Sequence, residues 1–188
     1  MNKERELVGI IEGNAWFIEI LRIVRRLNLP EWCVGAGIIR NIVWDHLHSY
    51  VMPSPIADVD VAFFDPTDLS RDRDHHLQAR LASEQPDIPW EVTNQAGVHL
   101  WFEAHFGHAV EPLCSLYEAV ASWPETTTSV AVRLTGSNAI EVLAPLGLDD
   151  LFGMVVRRNP ARVSEATYLR RIAEKRYLQR WPMVQIIQ

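Results

Sequence analysis

Two aspartates separated by one residue are the feature of the sequence that points most directly to chemistry. Asp58 and Asp60 belong to the segment DVDVAFF, which alternates polar and apolar residues and then becomes fully apolar. This pattern predicts a β-strand over residues 58–64, and side chains two positions apart on a strand point to the same face. Two neighbouring carboxylates repel each other unless a cation lies between them. Hard oxygen ligands of this kind suit Mg²⁺ or Mn²⁺ better than zinc.

A turn of small residues lies upstream of this pair. Gly35, Ala36 and Gly37 connect a predicted strand at residues 32–34 to a predicted amphipathic helix at residues 38–49. Small side chains let a backbone approach a phosphate closely, and a helix N-terminus offers unpaired N–H groups. The turn is therefore a candidate phosphate site, although a Gly-x-Gly turn is also common where no ligand binds.

A third acidic residue lies on the next predicted strand, between Trp90 and Asn94. Glu91 is flanked there by Trp90 and Val92, and a charged group in apolar surroundings is costly to bury without a partner. Either Glu91 joins the aspartate pair, or the strand is an edge strand and Glu91 faces water. Asn94 and Gln95 could bind a base or ribose, or could cap the helix that follows.

The order of glycine turn, carboxylate pair and third acid resembles the nucleotidyltransferase superfamily with the polymerase-β-like fold. The segment VGAGIIRN resembles its tRNA nucleotidyltransferase branch, with Arg40 matching an arginine and Asn41 replacing an aspartate. The 20 residues between Gly37 and Asp58 exceed the usual spacing. The runs AGIIRNIVWDHLH, DVDVAFFD, PWEVTNQAGVHLW and LGLDDLFGMVVRRNP resemble a bacterial nucleotidyltransferase-like family that has no assigned substrate.

This resemblance implies a metal-dependent enzyme that moves a nucleoside monophosphate from an NTP to an acceptor. Such an enzyme uses Mg²⁺ or Mn²⁺, and its acceptor could be a small molecule, an RNA end or a protein hydroxyl. The residues that the resemblance makes catalytic and metal-binding are Asp58, Asp60 and Glu91. The residues that it assigns to the nucleotide are Gly35, Ala36, Gly37 and Arg40.

Two alternatives compete with that assignment. A non-catalytic relative could keep the fold as a nucleotide-binding or protein-interaction module, and the Gly-Ala-Gly turn does depart from the usual Gly-Gly or Gly-Ser. A glycosyltransferase could also use the Asp58–Asp60 pair to hold a metal and a sugar nucleotide. The second alternative leaves the upstream turn and Glu91 unexplained.

The remaining elements predict an α+β fold, with a mixed sheet flanked by helices, in a single domain of residues 1–188. The N-terminal helix should be in two pieces, broken at Gly13 and Asn14, with Asn14 as a cap. A hairpin should turn at residues 136–138. The other predicted segments are helices at 68–84, 96–105, 113–122, 148–156 and 164–180, and hairpin strands at 129–134 and 140–143.

Composition limits the classes of protein and partner. The 188 residues are 48% hydrophobic and 22% charged, which is typical of a soluble globular protein. No apolar run approaches the ~20 residues of a membrane helix, and the N-terminus resembles no secretory signal. Two cysteines predict a reduced, cytoplasmic protein. The net charge of −6 makes a long nucleic acid an unfavoured partner, and the lack of a long apolar run predicts no membrane partner.

Positive charge is concentrated in a basic C-terminal helical segment, residues 157–180. It holds eight arginine and lysine residues against two glutamates. Arg157 and Arg158 follow the LDDLF run of the family resemblance, so we expect this pair to face the cleft. Arg171 and Lys175 are four residues apart on one helical face, which we expect to be solvated.

Overall fold

The computed structural model describes residues 2–187, so that Met1 and Gln188 of the predicted domain lie outside the described residues. Short 3₁₀ segments, Gln95–Gly97 and Thr126–Thr128, accompany the longer elements. In chain order these are α1 (Lys3–Glu12), α2 (Ala15–Arg25), β1 (Trp32–Gly35), α3 (Gly37–Leu47), β2 (Val59–Phe63), α4 (Arg71–Glu84), β3 (Trp90–Asn94), α5 (His99–Phe106), α6 (Leu116–Ala121), β4 (Ala131–Leu134), β5 (Ile140–Leu143), α7 (Asp149–Phe152), β6 (Val155–Arg157), α8 (Glu165–Lys175), α9 (Tyr177–Arg180) and β7 (Gln185–Ile187).

A five-stranded mixed sheet forms the centre of the fold, in the order β3-β2-β1-β4-β5. β2 and β3 are parallel, whereas β1 is antiparallel to both β2 and β4. The register places Asp60 opposite Glu91 on one side and opposite Gly35 on the other. The predicted α+β class is confirmed, and three segments that carry the sequence motifs become neighbours in the sheet.

The N-terminal helices form as the sequence predicts. Asn14 caps α2, because its Oδ1 accepts a hydrogen bond from the backbone N–H of Phe17 at 3.0 Å. The apolar stripe of α2 is buried in the main core, together with the apolar side of α3. α3 therefore lies firmly against the sheet, and its first residue follows directly from the end of β1.

The C-terminal region differs from the prediction. The expected helix at 148–156 is only α7, after which β6 pairs in parallel with β7. The expected helix at 164–180 is broken at Arg176, whose φ is 49°. This break allows Tyr177 and Trp181 to pack against Trp44, with ring centroids at 5.9 and 5.2 Å. Tertiary packing of two large aromatic side chains overrides the local helical pattern.

Two further observations bear on the class of protein. Both cysteines are free, Cys33 buried in β1 and Cys114 exposed. Burial raises the pKa of the Cys33 thiol well above its usual range, so that this cysteine stays protonated. Across residues 2–187, every helix is too short or too polar to cross a membrane.

Candidate active site

A cavity of about 230 Å³ lies where β1 passes into α3, and it brings the sequence motifs together. Its walls come from α3, β2, β3 and, on the opposite side, α8. The residues singled out from the sequence that line it are Ala36, Gly37, Arg40, Asp58, Asp60 and Glu91, and two further basic residues, Arg171 and Lys175, complete it.

The three acids lie side by side because of the sheet register. Asp60 and Glu91 are direct neighbours across the parallel β2–β3 pair, and Asp58 immediately precedes β2. Burial, together with repulsion from Asp58 and Glu91, raises the pKa of Asp60 to about 7. Glu91 itself is exposed to solvent at the mouth of the cavity. The site therefore concentrates negative charge that a bound cation would neutralise.

The donor set of this acidic cluster fits a hard divalent cation. Carboxylate oxygens are the ligands that Mg²⁺ and Mn²⁺ prefer, and no cysteine or histidine competes in the lining of this cavity. Among residues 2–187, no three acidic, histidine or cysteine side chains are already drawn together as a metal site.

Gly35 has a packing role. A Cβ at this position would lie 2.6 Å from the Cβ of Ala131 and 2.8 Å from Cζ3 of Trp123. Such contacts are far below van der Waals distance, so only glycine lets β1 approach β4 so closely here. Gly35 is buried and does not line the cavity, and its predicted direct contact with nucleotide receives no support from the geometry.

Ala36 and Gly37 form the part of the turn that faces the cavity. Ala36 has φ 57° and ψ −123°, a conformation that glycine adopts far more readily than alanine. A Cβ on Gly37 would lie 3.5 Å from Oδ1 of Asp58, which is an ordinary contact distance. The N-terminus of α3 is consequently held next to the acidic cluster by a strained backbone.

Arg40 places positive charge behind the turn. Its guanidinium is buried and donates to Oδ1 of Asn41 at 2.7 Å and to the hydroxyl of Tyr177 at 3.2 Å. The guanidinium carbon lies 5.0–5.5 Å from the ring centroids of Trp44, Tyr177 and Trp181. Arg40 thus acts on the cavity from a fixed position in an aromatic cage.

The wall opposite the acids is basic. Arg171 and Lys175, one turn apart on α8, both line the cavity, and Nζ of Lys175 lies 3.8 Å from Oδ2 of Asp58. The expectation that this helical face is merely solvated was wrong. Arg157 and Arg158 do not line the cavity.

The pair that the sequence analysis favoured is held elsewhere by its own partners. Arg157 donates from Nε to Asp150 at 3.0 Å, because the β6–β7 pairing holds it beside α7. Arg158 donates to the carbonyl of Val163 at 2.9 Å. The expectation that Arg157 and Arg158 face the cleft was therefore wrong as well.

A buried glutamate that the sequence analysis missed holds the basic wall in place. Glu125 is fully buried and accepts hydrogen bonds from Nε of Arg171 at 2.9 Å and from the hydroxyl of Tyr177 at 3.3 Å. Since Tyr177 also receives a hydrogen bond from Arg40, a continuous polar network runs from α3 to α8. The sequence around Glu125, a proline followed by threonines, carries no signal of this role.

The two polar residues at the end of β3 have different roles. Asn94 is buried, and its Oδ1 accepts from the backbone N–H groups of Asp65 and Ala96 at 3.0 and 3.2 Å. It therefore caps the following turn, as one of the two sequence interpretations proposed. Gln95 lines the cavity and remains available to a ligand.

Comparison with known proteins agrees with this geometry. A protein-family model described as nucleotidyltransferase matches residues 22–186. A solution NMR structure described as revealing a CCA-adding enzyme head domain is 27% identical, with a TM-score of 0.83, and the match covers 98% of this chain and 95% of that one. No curated protein gives a significant match.

Structures of larger CCA-adding enzymes share the fold at lower similarity. One described with CTP is 12% identical with a TM-score of 0.57, and the match covers 100% of this chain but 44% of that one. The Thermotoga maritima enzyme complexed with tRNA is 12% identical with a TM-score of 0.52, and the match covers 92% and 38%. The chain thus spans less than half of these larger enzymes. Because the family model covers most of its length, the chain belongs to the nucleotidyltransferase family.

Proposed function

We propose that the protein transfers a nucleoside monophosphate from an NTP to a hydroxyl group of an acceptor, with the help of divalent metal. The observation that carries the proposal is that three carboxylates and two basic side chains line one cavity. An NTP–metal complex carries both kinds of charge. A cavity with acidic and basic side chains complements both the metal and the phosphates of such a complex.

The acids have distinct roles in this proposal. Asp58 and Asp60 face the cavity together and would hold the metal, and Glu91 would complete the ligand set. Bound divalent metal stabilises the charge on the attacking and leaving oxygens of an in-line displacement. Glu91, exposed at the mouth of the cavity, is also the group positioned to accept the proton of the acceptor hydroxyl.

The turn and the basic wall would bind the triphosphate. The N-terminus of α3 carries partial positive charge, and Ala36 and Gly37 leave room there for a phosphate. Lys175 pairs with Asp58 in the absence of ligand. When a metal–NTP complex binds, its phosphate would compete for Lys175 and its metal would compete for Asp58. Glu125 holds Arg171 in place, and Tyr177 holds Arg40. Both arginines therefore add positive charge without having to become ordered when the nucleotide binds.

Similar structures support an NTP as the donor. Among the CCA-adding enzymes that share the fold, one is described with CTP and another with tRNA. The first agrees with the proposed donor. The tRNA partner of the second enzyme is not carried over to this chain, because the similarity between the two proteins is confined to the fold. The net charge of −6 also disfavours a long nucleic acid as partner.

Labelled nucleotides test the proposal directly. Each NTP, labelled at the α-phosphate or at the γ-phosphate, is incubated with Mn²⁺, the protein and a cell extract. We expect the α-label to appear in a new product and the γ-label to leave as pyrophosphate, and we expect Asp60→Asn to abolish both. NTP binding without transfer of the α-label would favour the non-catalytic module instead.

A further inference from the structure

A second cavity, of about 260 Å³, adjoins the first on the side away from the turn. The two cavities share part of their lining, whereas Ala36, Gly37 and Asp58 line only the first. The shared residues are Asp60, Glu91, Thr93, Gln95, Trp123, Pro124 and Arg171. Asp60 and Glu91 therefore lie where the two cavities meet. The proposed triphosphate site lies on one side of these two acids, and the second cavity lies on the other.

The second cavity is lined by aromatic side chains. Trp101, Phe102 and Phe106 come from α5, and Trp123 follows α6. The rings of Phe102 and Phe106 lie 4.4 Å apart between centroids. Such a lining favours a flat ring, which can stack or pack edge-to-face on these side chains. Its volume is slightly below the ~300–1,000 Å³ typical of drug-sized ligand sites, so it suits a ligand of about one ring.

One cation in this aromatic lining, Arg162, has a buried nitrogen atom without an acceptor among the described residues. Arg162 lies with its guanidinium carbon 5.8 Å from the Phe102 ring and donates from Nη2 to the carbonyl of Glu111. Its Nη1 is buried and makes no hydrogen bond within residues 2–187. No carboxylate oxygen of the described chain lies within 4 Å of this guanidinium. A buried N–H donor without an acceptor is costly, and an oxygen of an anionic ligand group would remove that cost.

The direction of attack assigns the second cavity a place in the reaction. In an in-line displacement the attacking oxygen and the leaving oxygen lie on opposite sides of the α-phosphorus. The turn and Lys175 would hold the leaving pyrophosphate on one side of the acids. The acceptor hydroxyl must then approach from the other side, where Glu91 borders the second cavity.

We propose that the second cavity binds the acceptor and that the acceptor is a small aromatic carboxylate carrying a hydroxyl group. This inference rests on the proposed function. The ring lies against Phe102 and Trp101, the carboxylate pairs with Arg162, and the hydroxyl points towards Glu91. The hydroxyl oxygen bonds to the α-phosphorus, the bond from that phosphorus to the bridging oxygen breaks, pyrophosphate leaves with the electron pair, and Glu91 takes the proton.

Binding of hydroxybenzoates tests the chemistry of the cavity. A panel of 2-, 3- and 4-hydroxybenzoate, with phenol as the uncharged analogue, is titrated into the full chain and followed by ligand-observed NMR. We expect at least one hydroxybenzoate to bind, Arg162→Gln to weaken it about tenfold or more, and phenol to be unaffected by that variant. The exposed Arg170→Gln on α8 is the matched control. Failure of the whole panel to bind, or equal affinity in Arg162→Gln, overturns the proposal.

A second measurement separates the acceptor from the nucleoside as the occupant. Affinity for a Mn²⁺ complex of a non-hydrolysable NTP analogue is measured for the parent, Arg162→Gln and Phe102→Leu. We expect both variants to bind the analogue within about twofold of the parent, a difference of roughly 0.4 kcal/mol. A parallel loss of analogue and hydroxybenzoate binding would assign the cavity to the base and overturn the proposal.

Two further results would contradict the proposals, one from competition with RNA and one from the Mn²⁺ dependence of analogue binding. Displacement of bound hydroxybenzoate by a short single-stranded RNA with a free 3′-hydroxyl would identify an RNA end as the occupant and contradict the small-molecule assignment. Absence of Mn²⁺-dependent analogue binding in the parent would contradict the proposed function. Hydroxybenzoate binding in that case would show a small-molecule site that has no part in transfer.

Discussion

The acidic and basic faces of the cavity are built in different ways. Asp60 and Glu91 are positioned by the backbone hydrogen bonds of two adjacent parallel strands, and Asp58 immediately precedes the first of them. Arg171 and Lys175 are positioned by a helix far along the chain, which is held by the buried carboxylate of Glu125. The acidic face depends on strand register, whereas the basic face depends on one long-range polar network. Substitutions should therefore disturb the two faces unequally.

The largest effect should come from removing the buried support of the basic face. Glu125→Ala leaves Arg171 and Tyr177 without their shared acceptor, so we expect the free energy of unfolding to fall by about 3–5 kcal/mol. The matched control is Glu141→Ala, which breaks an Arg133 pair whose glutamate side chain is 43% exposed. That control should cost about 1 kcal/mol or less in urea unfolding. Similar losses in both variants would show that the network does not hold α8.

On the acidic face, removing a charge should stabilise the metal-free protein. Because the pKa of Asp60 is raised from 3.8 to about 7, the native state binds more protons than the unfolded state between these pH values. Stability of the metal-free parent should therefore fall as pH rises from 4 to 7.

Asp60→Asn tests that slope. In the presence of EDTA at pH 8, the variant should be more stable than the parent by roughly 1–3 kcal/mol, and the two should converge near pH 4. The exposed Asp87→Asn provides the control and should track the parent. A variant that is less stable than the parent at pH 8 would remove the argument for repulsion among the acids.

The basic face should matter for nucleotide affinity rather than for folding. Lys175→Gln should weaken binding of a Mn²⁺–NTP analogue about tenfold at low salt, equal to ~1.4 kcal/mol, and less at high salt. The double variant Arg157→Gln/Arg158→Gln removes two charges outside the cavity and should bind as the parent does. Calorimetric titration distinguishes the two, and a larger effect of the double variant would reverse the assignment.

The smallest effect concerns the turn between β1 and α3, which lines the cavity beside the acidic face. Ala36→Gly should relieve the positive φ and raise stability by up to about 1 kcal/mol, the strain being partly offset by the flexibility of glycine in the unfolded chain. Ala79→Gly, at an exposed position inside α4, should instead lose about 1 kcal/mol. Thermal unfolding of both variants checks the sign. Destabilisation of equal size at both positions would show that Ala36 is not strained.

The acidic face was predictable because its information is local. Alternation in DVDVAFF predicts the strand, and the period of two places Asp58 and Asp60 on one side of it. Glu91 required one further step, the pairing of its strand with β2, which the family resemblance supplied. The register of the sheet then places Asp60 beside Glu91.

The basic face was not predictable, because tertiary contacts select it. Helical periodicity in α8 shows that Arg171 and Lys175 share a face, but not what that face meets. The position of α8 depends on Glu125 and on the break at Arg176 that buries Tyr177 and Trp181. None of these has a local signature. The strands β6 and β7 are only three residues long and are separated by 27 residues, so no local pattern predicts their pairing.

The central claim is that the acidic face binds an NTP through divalent metal, and isothermal titration of a Mn²⁺–NTP analogue tests it most directly. We expect the parent to bind the analogue with Mn²⁺ and to lose that binding in EDTA. We expect Asp60→Asn to reduce the affinity about 100-fold, a loss of roughly 2.7 kcal/mol, while Asp87→Asn binds as the parent does. Parent-like affinity in Asp60→Asn, or binding that EDTA leaves unchanged, would contradict the account.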